Sequence, residues 1–278
     1  MSALGADAFR YDGKRALVVG GASGMGRATA ALAQELGAEI VIMDYAEITL
    51  PGVKAISLDL RDKDGIDRAL DECGGPIDAL FSCAGAADGT PGIEKINFIG
   101  HRHLIDRAMA QNLIPRGGAI GMISSAAGLG WQANWEIVQS YLDTPDFEAA
   151  VAWIVEHPNK ADYMFSKQAI CGYVAREAMS FLQRGVRINA ILPGPTDTPL
   201  AQANADMWLT FGTDYREATG IETSTPDEQA AVLVFLCSDA ARYVNGVTVV
   251  TDAGYASSGV TGSFPPATPV IEFLSGPM

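Results

Sequence analysis

Residues 15–44 decide the fold: Arg15-Ala16-Leu17-Val18-Val19-Gly20-Gly21-Ala22-Ser23-Gly24-Met25-Gly26, an alanine- and leucine-rich segment from Arg27 to Leu36, then Ile40-Val41-Ile42-Met43-Asp44. Ala16 to Val19 is a short apolar run with the character of a buried strand. Four glycines break it, Arg27 to Leu36 has helical spacing, and Ile40 to Met43 is a second strand. Strand, glycine turn, helix and strand make a nucleotide-binding β-α-β unit. Gly20 allows a tight exit from the strand, Gly24 lets backbone approach a pyrophosphate, and Gly26 removes a side chain where helix meets sheet. The amides opening the helix, around Ser23 and Met25, then face an anion. Asp44 ends the second strand twenty residues after Gly24. A carboxylate there accepts both ribose hydroxyls of the adenosine half and repels a 2′-phosphate. Ser23 and Tyr45 are neutral, so the stretch predicts NAD rather than NADP. A glycine turn that only joined a strand to a helix would need no acid at that place.

The same alternation continues outward. Val53 to Leu58 is a third strand ending at Asp59-Leu60. Asp59 has two readings of equal weight: acceptor for an adenine amino group, or N-cap of a helix predicted from about Arg61 to Glu72. Ile77 to Cys83 is a fourth strand, followed by Ala84-Gly85, where small residues leave space for a ribose. Pro91 opens a helix to about Gln111, and Ala119 to Ile123 is a fifth strand ending in Ser124-Ser125. A serine hydroxyl at the carboxyl end of a central strand points into the crevice where doubly wound sheets bind ligands. Ala161 to Gln183 is helical, and places Tyr163 and Lys167 on one face. Val186 to Leu192 is a sixth strand stopped by Pro193-Gly194-Pro195, a helix runs from Thr225 or Pro226 to Ser238, and Val247 to Thr251 is the last strand. The expected fold is α/β, a single doubly wound Rossmann domain with a mainly parallel sheet and helices on both faces.

Composition narrows the function. With 278 residues, 48% apolar and 19% charged, the chain can bury one large core and is not disordered. A net charge of −14 argues against nucleic acid and anionic membrane surfaces as partners. Met1 to Lys14 has no sustained apolar core, and no run reaches the roughly 18 residues of a membrane span, so neither a signal peptide nor a span is expected. Cys73, Cys83, Cys171 and Cys237 lack metal or redox spacing and read as reduced thiols of a cytoplasmic protein. His101 and His103 fall on different helix faces and His157 stands alone, so no metal site is expected.

Val19-Gly20-Gly21-Ala22-Ser23-Gly24-Met25-Gly26, Cys83-Ala84-Gly85, Asn97, Ser125, Tyr163-x-x-x-Lys167 and Pro193-Gly194-Pro195-Thr196-Asp197-Thr198 occur in one order. In this the chain resembles the short-chain dehydrogenases/reductases, from about Lys14 to Tyr255. Tyr-x-x-x-Lys alone is a weak signal; the ordered set is a strong one. The resemblance implies that Tyr163 is the acid/base, that Ser125 holds the substrate oxygen, that Lys167 binds the nicotinamide ribose, and that Asn97 holds a water linking Lys167 to solvent. It also implies that Thr198, and Thr196 in the same turn, meet the nicotinamide end of the cofactor. The chemistry is sound on its own terms. A phenol with a pKa of about 10 is a poor base at neutral pH, and a nearby ammonium together with a positive nicotinamide would lower it. Ser124 competes with Ser125 for the strand-end role, Asn97 has a backbone-bonding alternative, and Thr198 has a helix-capping one.

Departures from the family pattern carry information. Val19 stands where Thr is usual and Ser82-Cys83 where Asn-Asn is common, which removes groups that tie the loops together. Only eleven positions separate Ala86 from Asn97, whereas Ser125 and Tyr163 lie 38 apart. Roughly 25 residues are therefore inserted beside the site, about 129–159. The insert carries Trp131, Trp135, Tyr141, Phe147 and Trp153, with a short amphipathic helix over Phe147 to Val155. The combination resembles the bacterial 3α-hydroxysteroid dehydrogenase/carbonyl reductase branch. An aromatic lid over a bulky apolar substrate and aromatics that merely pack the insert are both open. Ala201 to Gly220, with Met207, Trp208, Leu209 and Phe211, falls where the family has its mobile substrate loop. Residues 1–255 form the dehydrogenase domain, and 256–278 a tail that is either a flexible end or an arm over a neighbour. The family associates through the helices bearing Asn97 and Tyr163, so a homodimer or homotetramer is expected, with the insert able to obstruct one face.

The expected activity is NAD-dependent interconversion of a secondary or bulky apolar alcohol, of steroid, terpenoid or aryl class, with its carbonyl. An NADPH-dependent biosynthetic reductase is the alternative, and a non-catalytic dinucleotide-binding protein a further one.

Overall fold

The computed structural model describes residues 5–276; residues 1–4 of the expected domain and 277–278 of the expected tail lie outside them. Seven parallel strands form one sheet: β1 (Arg15–Val19), β2 (Glu39–Asp44), β3 (Lys54–Ser57), β4 (Ala79–Ser82), β5 (Ala119–Ile123), β6 (Arg187–Pro193) and β7 (Thr248–Thr251). Their order is β3-β2-β1-β4-β5-β6-β7. The chain reverses its direction of travel across the sheet between β1 and β4, and ligands of such sheets bind outside the carboxyl ends at that reversal. Register brings the right residues there, for Val19 pairs with Met43 on one side and Ser82 on the other.

Burial explains the strand sequences. β4, β5 and β6 are buried along their whole length, as expected of strands covered on both faces. Burying a single side chain such as Leu17 or Ile42 contributes roughly 1.5–3 kcal/mol. β3 and β7 are the sheet edges and are only partly covered.

Helix α1 (Gly24–Glu35) lies on one face of the sheet, its small residues Ala30 and Ala33 fully buried. On the other face are α2 (Lys63–Cys73) and α3 (Gly100–Ala110), which follows a π-type turn, Lys95–Ile99. The inserted stretch forms α4 (Trp135–Leu142) and α5 (Phe147–Glu156), followed by the long α6 (Tyr163–Gln183). After β6 come three short helices, α7 (Pro199–Gln202), α8 (Ala205–Trp208) and α9 (Thr213–Thr219), then α10 (Pro226–Cys237), which packs beside α1. The chain closes with α11 (Tyr255–Thr261) and α12 (Thr268–Ser275).

The insert is not a lid. Its helices turn their apolar faces onto α6 and the turn before α3: Tyr141 sits 5.3 Å from Phe98 and 5.5 Å from Phe165, ring centre to ring centre. Trp153 stacks on Phe165 at 5.6 Å. Gly172 admits Val138 so closely that a Cβ on residue 172 would lie 2.5 Å from a methyl carbon. Arg102, nearly buried, donates to the Thr144 hydroxyl at 2.9 Å and pins the loop between the two insert helices. The aromatics thus fill a second layer of core, which offers more burial than an exposed flap would.

The tail segment turns back on its own chain. Ile271 and Leu274 of α12 join Tyr255, Ala256 and Ala267 in a small core that also takes Phe211 and Phe264. Gly130, in the turn after β5, lets the Leu274 carbonyl approach to where a Cβ would otherwise be.

Candidate active site

A cleft of about 800 Å³ opens along the carboxyl ends of the strands. At one end, Gly20 takes a φ of +87° and lies so close to Ala84 that a side chain would collide with its backbone. Gly26 is held as tightly against the Gly20 carbonyl, so the glycine turn folds onto itself as well as onto the sheet. Ser23, Gly24 and Met25 line the cleft beside them. Asp44 accepts from the Ala22 and Ala46 amides, both at 2.9 Å, which fixes its carboxylate at the cleft edge. Leu60, Ala84 and Gly85 line the next part, and Pro193, Gly194, Thr196 and Thr198 the opposite wall.

Two residues of the cleft, Asp59 and Thr198, each had a capping alternative in the sequence. Asp59 does not cap α2, whose N-cap is Asp62; it instead takes the Arg61 amide and pairs with the Arg61 guanidinium at 2.7 Å. That pairing holds the Asp59 carboxyl below its ordinary range. Arg61 itself lines the cleft near Asp44, a cation that glycine-turn spacing gave no reason to place there. Thr198 caps α7, accepting from the Ala201 amide at 3.1 Å, while still facing the cleft. Thr196 bonds to the Gly194 carbonyl at 3.0 Å and to Ser224 at 3.0 Å.

At the other end Ser125, Tyr163 and Lys167 converge. Both Ser124 and Ser125 line the cleft and their hydroxyls separate them: Ser124 is buried and donates to the Lys167 carbonyl at 2.8 Å, whereas Ser125 accepts from the Ala127 amide at 3.2 Å and bonds to the Tyr163 phenol. The first residue of α6 is Tyr163, its amide held by Asp88 at 2.7 Å, while Asp162 caps the same helix through the Phe165 amide. One turn on, the Lys167 ammonium donates to the Ile123 carbonyl at 3.1 Å and lies 5.3 Å from the centre of the Tyr163 ring. Burial pushes the Tyr163 phenol up, with Ser125 pulling it down and Asp88 pushing it further up. Burial also lowers the Lys167 ammonium, to about 8. The expected fall of the phenol is therefore not a property of the chain alone, because desolvation outweighs the Ser125 hydrogen bond.

Asn97 lies behind this group and does not line the cleft. It sits in the π-type turn, fully buried, and accepts from the Ala86 amide at 2.7 Å while donating to the Ala86 carbonyl and to Ser166, each at 3.1 Å. It ties the Gly85 loop to α6. His101, one helical turn further on, bonds to Ser82 at 2.7 Å and to the Ala84 carbonyl at 3.0 Å. Because a carbonyl accepts only, Nε2 carries the proton and Nδ1 accepts from Ser82. This contact supplies the loop tie that Ser82-Cys83 had put in doubt. Its sequence signal, a histidine four residues after Asn97, was visible but pointed to no loop.

The outer wall is apolar: Met164, Met207, Trp208, Phe211 and Leu274. Trp208 lies 4.9 Å from Tyr163, ring centre to ring centre. Leu274 was not foreseen as part of the site, nor were Asp88 and Thr90 at the mouth. Among the described residues no group of three or more His, Cys, Asp or Glu is placed to hold a metal ion, and no helix is long and apolar enough to cross a membrane. The four cysteines are free thiols.

The sheet order, the glycine turn and the Ser125–Tyr163–Lys167 group define a dinucleotide-dependent oxidoreductase of the short-chain class. Residues 20–256 match the family model described as Enoyl-(Acyl carrier protein) reductase. The chain belongs to the short-chain dehydrogenase/reductase family. It is 29% identical to the coniferyl-alcohol dehydrogenase of a Pseudomonas strain over 254 residues, 88% of this chain and 97% of the relative. It is likewise 29% identical to the 3-alpha-hydroxysteroid dehydrogenase/carbonyl reductase of Comamonas testosteroni, over 86% of this chain and 95% of that one. The crystal structure of the 3-alpha-hydroxysteroid dehydrogenase from Pseudomonas sp. B-0831 with NADH superposes with a TM-score of 0.69 and 25% identity, covering 90% of this chain and 99% of the other.

Proposed function

We propose that the protein is an NAD-dependent dehydrogenase interconverting a bulky, apolar alcohol of steroid, terpenoid or aryl class with its carbonyl compound, working in the cytoplasm as a homo-oligomer. The observation that carries this reading is the meeting of Ser125, Tyr163 and Lys167 with the wall of Met164, Met207, Trp208, Phe211 and Leu274 in one cleft. Relatives named for coniferyl alcohol and for hydroxysteroids support the substrate class.

Tyr163, as phenolate, accepts the hydroxyl proton of the alcohol, and as phenol returns it to the carbonyl oxygen in the reverse direction. Ser125 orients that oxygen and stabilises the charge it gains. Lys167 holds a nicotinamide ribose and steadies the phenolate, while Asn97 keeps the Gly85 loop and α6 in register as the proton moves toward solvent. When bound, the oxidised nicotinamide supplies the hydride acceptor and the further positive charge that the phenol lacks in the chain alone. The glycine turn with Ser23 and Met25 would hold the pyrophosphate, Asp44 the adenosine ribose, Leu60 and Asp59 the adenine, and Thr196 and Thr198 the carboxamide side.

Arg61 supports a second reading, in which NADP is used and the guanidinium meets a 2′-phosphate. Asp44, nearer the glycine turn and fixed by the Ala22 amide, favours the first. The test is reduced-cofactor formation from hydroxysteroids, terpenoid alcohols and aryl alcohols, with NAD⁺ and NADP⁺ in parallel and Tyr163→Phe as control. Turnover with NAD⁺ that the variant loses is the expected result. Preference for NADP⁺ would establish the second reading, and tight NADH binding without turnover of any compound would remove the substrate class.

A further inference from the structure

The charges around the cleft are unevenly placed. Among the described residues its cations are Arg61, at the adenosine end and paired with Asp59, and Lys167, which is buried and directed at the Ile123 carbonyl and the Tyr163 ring. Neither faces the outer part of the reaction end. That part is walled by thioether, aromatic and aliphatic side chains, with one carboxylate, Asp88, and one hydroxyl, Thr90, at the mouth. One Asp88 oxygen accepts the Tyr163 amide at 2.7 Å, which fixes the side chain beside the acid/base residue. The charge is felt at the reacting position, since Asp88 is one of the groups that raise the Tyr163 phenol. The other oxygen makes no hydrogen bond among the described residues.

We propose that Asp88 sets the charge selectivity of the substrate end: it excludes alcohols that carry a carboxylate and favours neutral alcohols whose far end bears a hydroxyl or another hydrogen-bond donor. The inference rests on the reading of this cleft as an alcohol dehydrogenase site. Its physical basis is simple. A substrate carboxylate entering the mouth meets a like charge a few ångströms away, with apolar walls that screen less than water and no cation to offset it. A donor at the same place gains a charge-assisted hydrogen bond to the free oxygen of Asp88. The short loop from Ala86 to Asn97 is what brings residue 88 to the first turn of α6.

The test uses a matched set of secondary alcohols: 4-(1-hydroxyethyl)benzoate, its methyl ester and 4-(1-hydroxyethyl)phenol. Their dissociation constants from the enzyme saturated with reduced nicotinamide cofactor are measured by calorimetry, alongside kcat/KM with the oxidised form. The wild type is expected to bind the carboxylate at least about tenfold more weakly than the ester, and the phenol more tightly than either. In Asp88→Asn the carboxylate and ester should come within about threefold, because the amide oxygen still accepts from the Tyr163 amide but the charge is gone. Raising the salt concentration should narrow the wild-type gap and leave the variant unmoved. Equal binding of acid and ester by the wild type, a gap that survives in Asp88→Asn, or no binding of the ester overturns the assignment. A gap that closes in the variant without turnover of any alcohol would remove the proposed activity and leave the role of Asp88 standing. Turnover with an unchanged gap would do the reverse.

Discussion

The Lys167 ammonium lies 5.3 Å from the centre of the Tyr163 ring, and burial drives the two groups apart in acidity, phenol up and ammonium down. A lysine whose pKa falls from 10.5 unfolded to about 8 folded costs stability in its charged form. Between those values the unfolded chain holds more protons than the folded one, so wild-type stability rises with pH through that window and the full penalty is present at pH 7. Lys167→Met should therefore be more stable than wild type at pH 7 by roughly 1–3 kcal/mol, and lose that advantage toward pH 10. Its turnover should fall at least about a hundredfold. Urea unfolding at the two pH values, with steady-state rates, checks both; a variant less stable at pH 7 would mean that the Ile123 contact outweighs desolvation.

Buried His101 titrates in the opposite region. Its pKa is lowered from 6.5 to about 4 by burial, against a hydrogen bond to Ala84 that raises it. The folded value is the lower one, so stability is complete above pH 6.5 and is lost as the pH falls toward 4. The expected loss between pH 7 and pH 5 is roughly 2 kcal/mol, at about 1.36 kcal/mol per unit. His101→Gln removes the titration, so its urea midpoint should fall less over this interval. The same loop touches the cofactor end of the cleft, and NADH affinity of the wild type should weaken in parallel. A midpoint that drops equally in both proteins would assign the acid sensitivity elsewhere.

The parts of this site that could be read from the sequence are those with a local signature. The glycine turn needs conformations and close contacts that side chains would block, and Tyr163 and Lys167 share a helix face because they are four apart. Ser125 follows from its place at the end of a central strand. What was hidden depends on distant packing. The aromatics of α4 and α5 announce an apolar face, but periodicity does not say whether that face meets a ligand or α6. Asp88 lies in a short loop without period, and its position follows from where α6 begins. Leu274 reaches the cleft only because Gly130 lets α12 come in. Asp59 read equally as a cap, until a nearer aspartate, Asp62, took that place.

Contact between Gly130 and the Leu274 carbonyl gives the tail a testable part in substrate recognition. A Cβ at residue 130 would push α12 outward and open the apolar wall. Gly130→Ala is expected to lower stability by about 1–3 kcal/mol, the usual cost of overpacking. It should also raise KM for bulky alcohols more than for small ones, with kcat less affected because Ser125, Tyr163 and Lys167 are untouched. Leu274→Ala should reproduce the change in KM without the clash. If KM rises equally for every alcohol, the tail supports the cleft without shaping it.

Association should use the edge of the sheet rather than the helices covered by the insert. α4 lies on α6 and α5 on the turn before α3, so those two faces are largely occupied within the chain. At the other side β7 is an edge strand whose Val250 is 38% exposed, next to Val247, Phe235 of α10 and a fully exposed Tyr243. Unpaired strand edges flanked by apolar side chains are surfaces that proteins normally cover. A stable interface buries about 800 Å² on each partner, an area that β7 and α10 together can provide. The wild type is expected to be dimeric at micromolar concentration by light scattering or sedimentation. Val250→Lys should shift it to monomer, since two lysines brought together across such an edge lose hydration and repel. A wild type that is already monomeric, or a variant as dimeric as its parent, would rule out this face; a tetramer that the variant halves to a dimer would show that β7 supplies one of two interfaces.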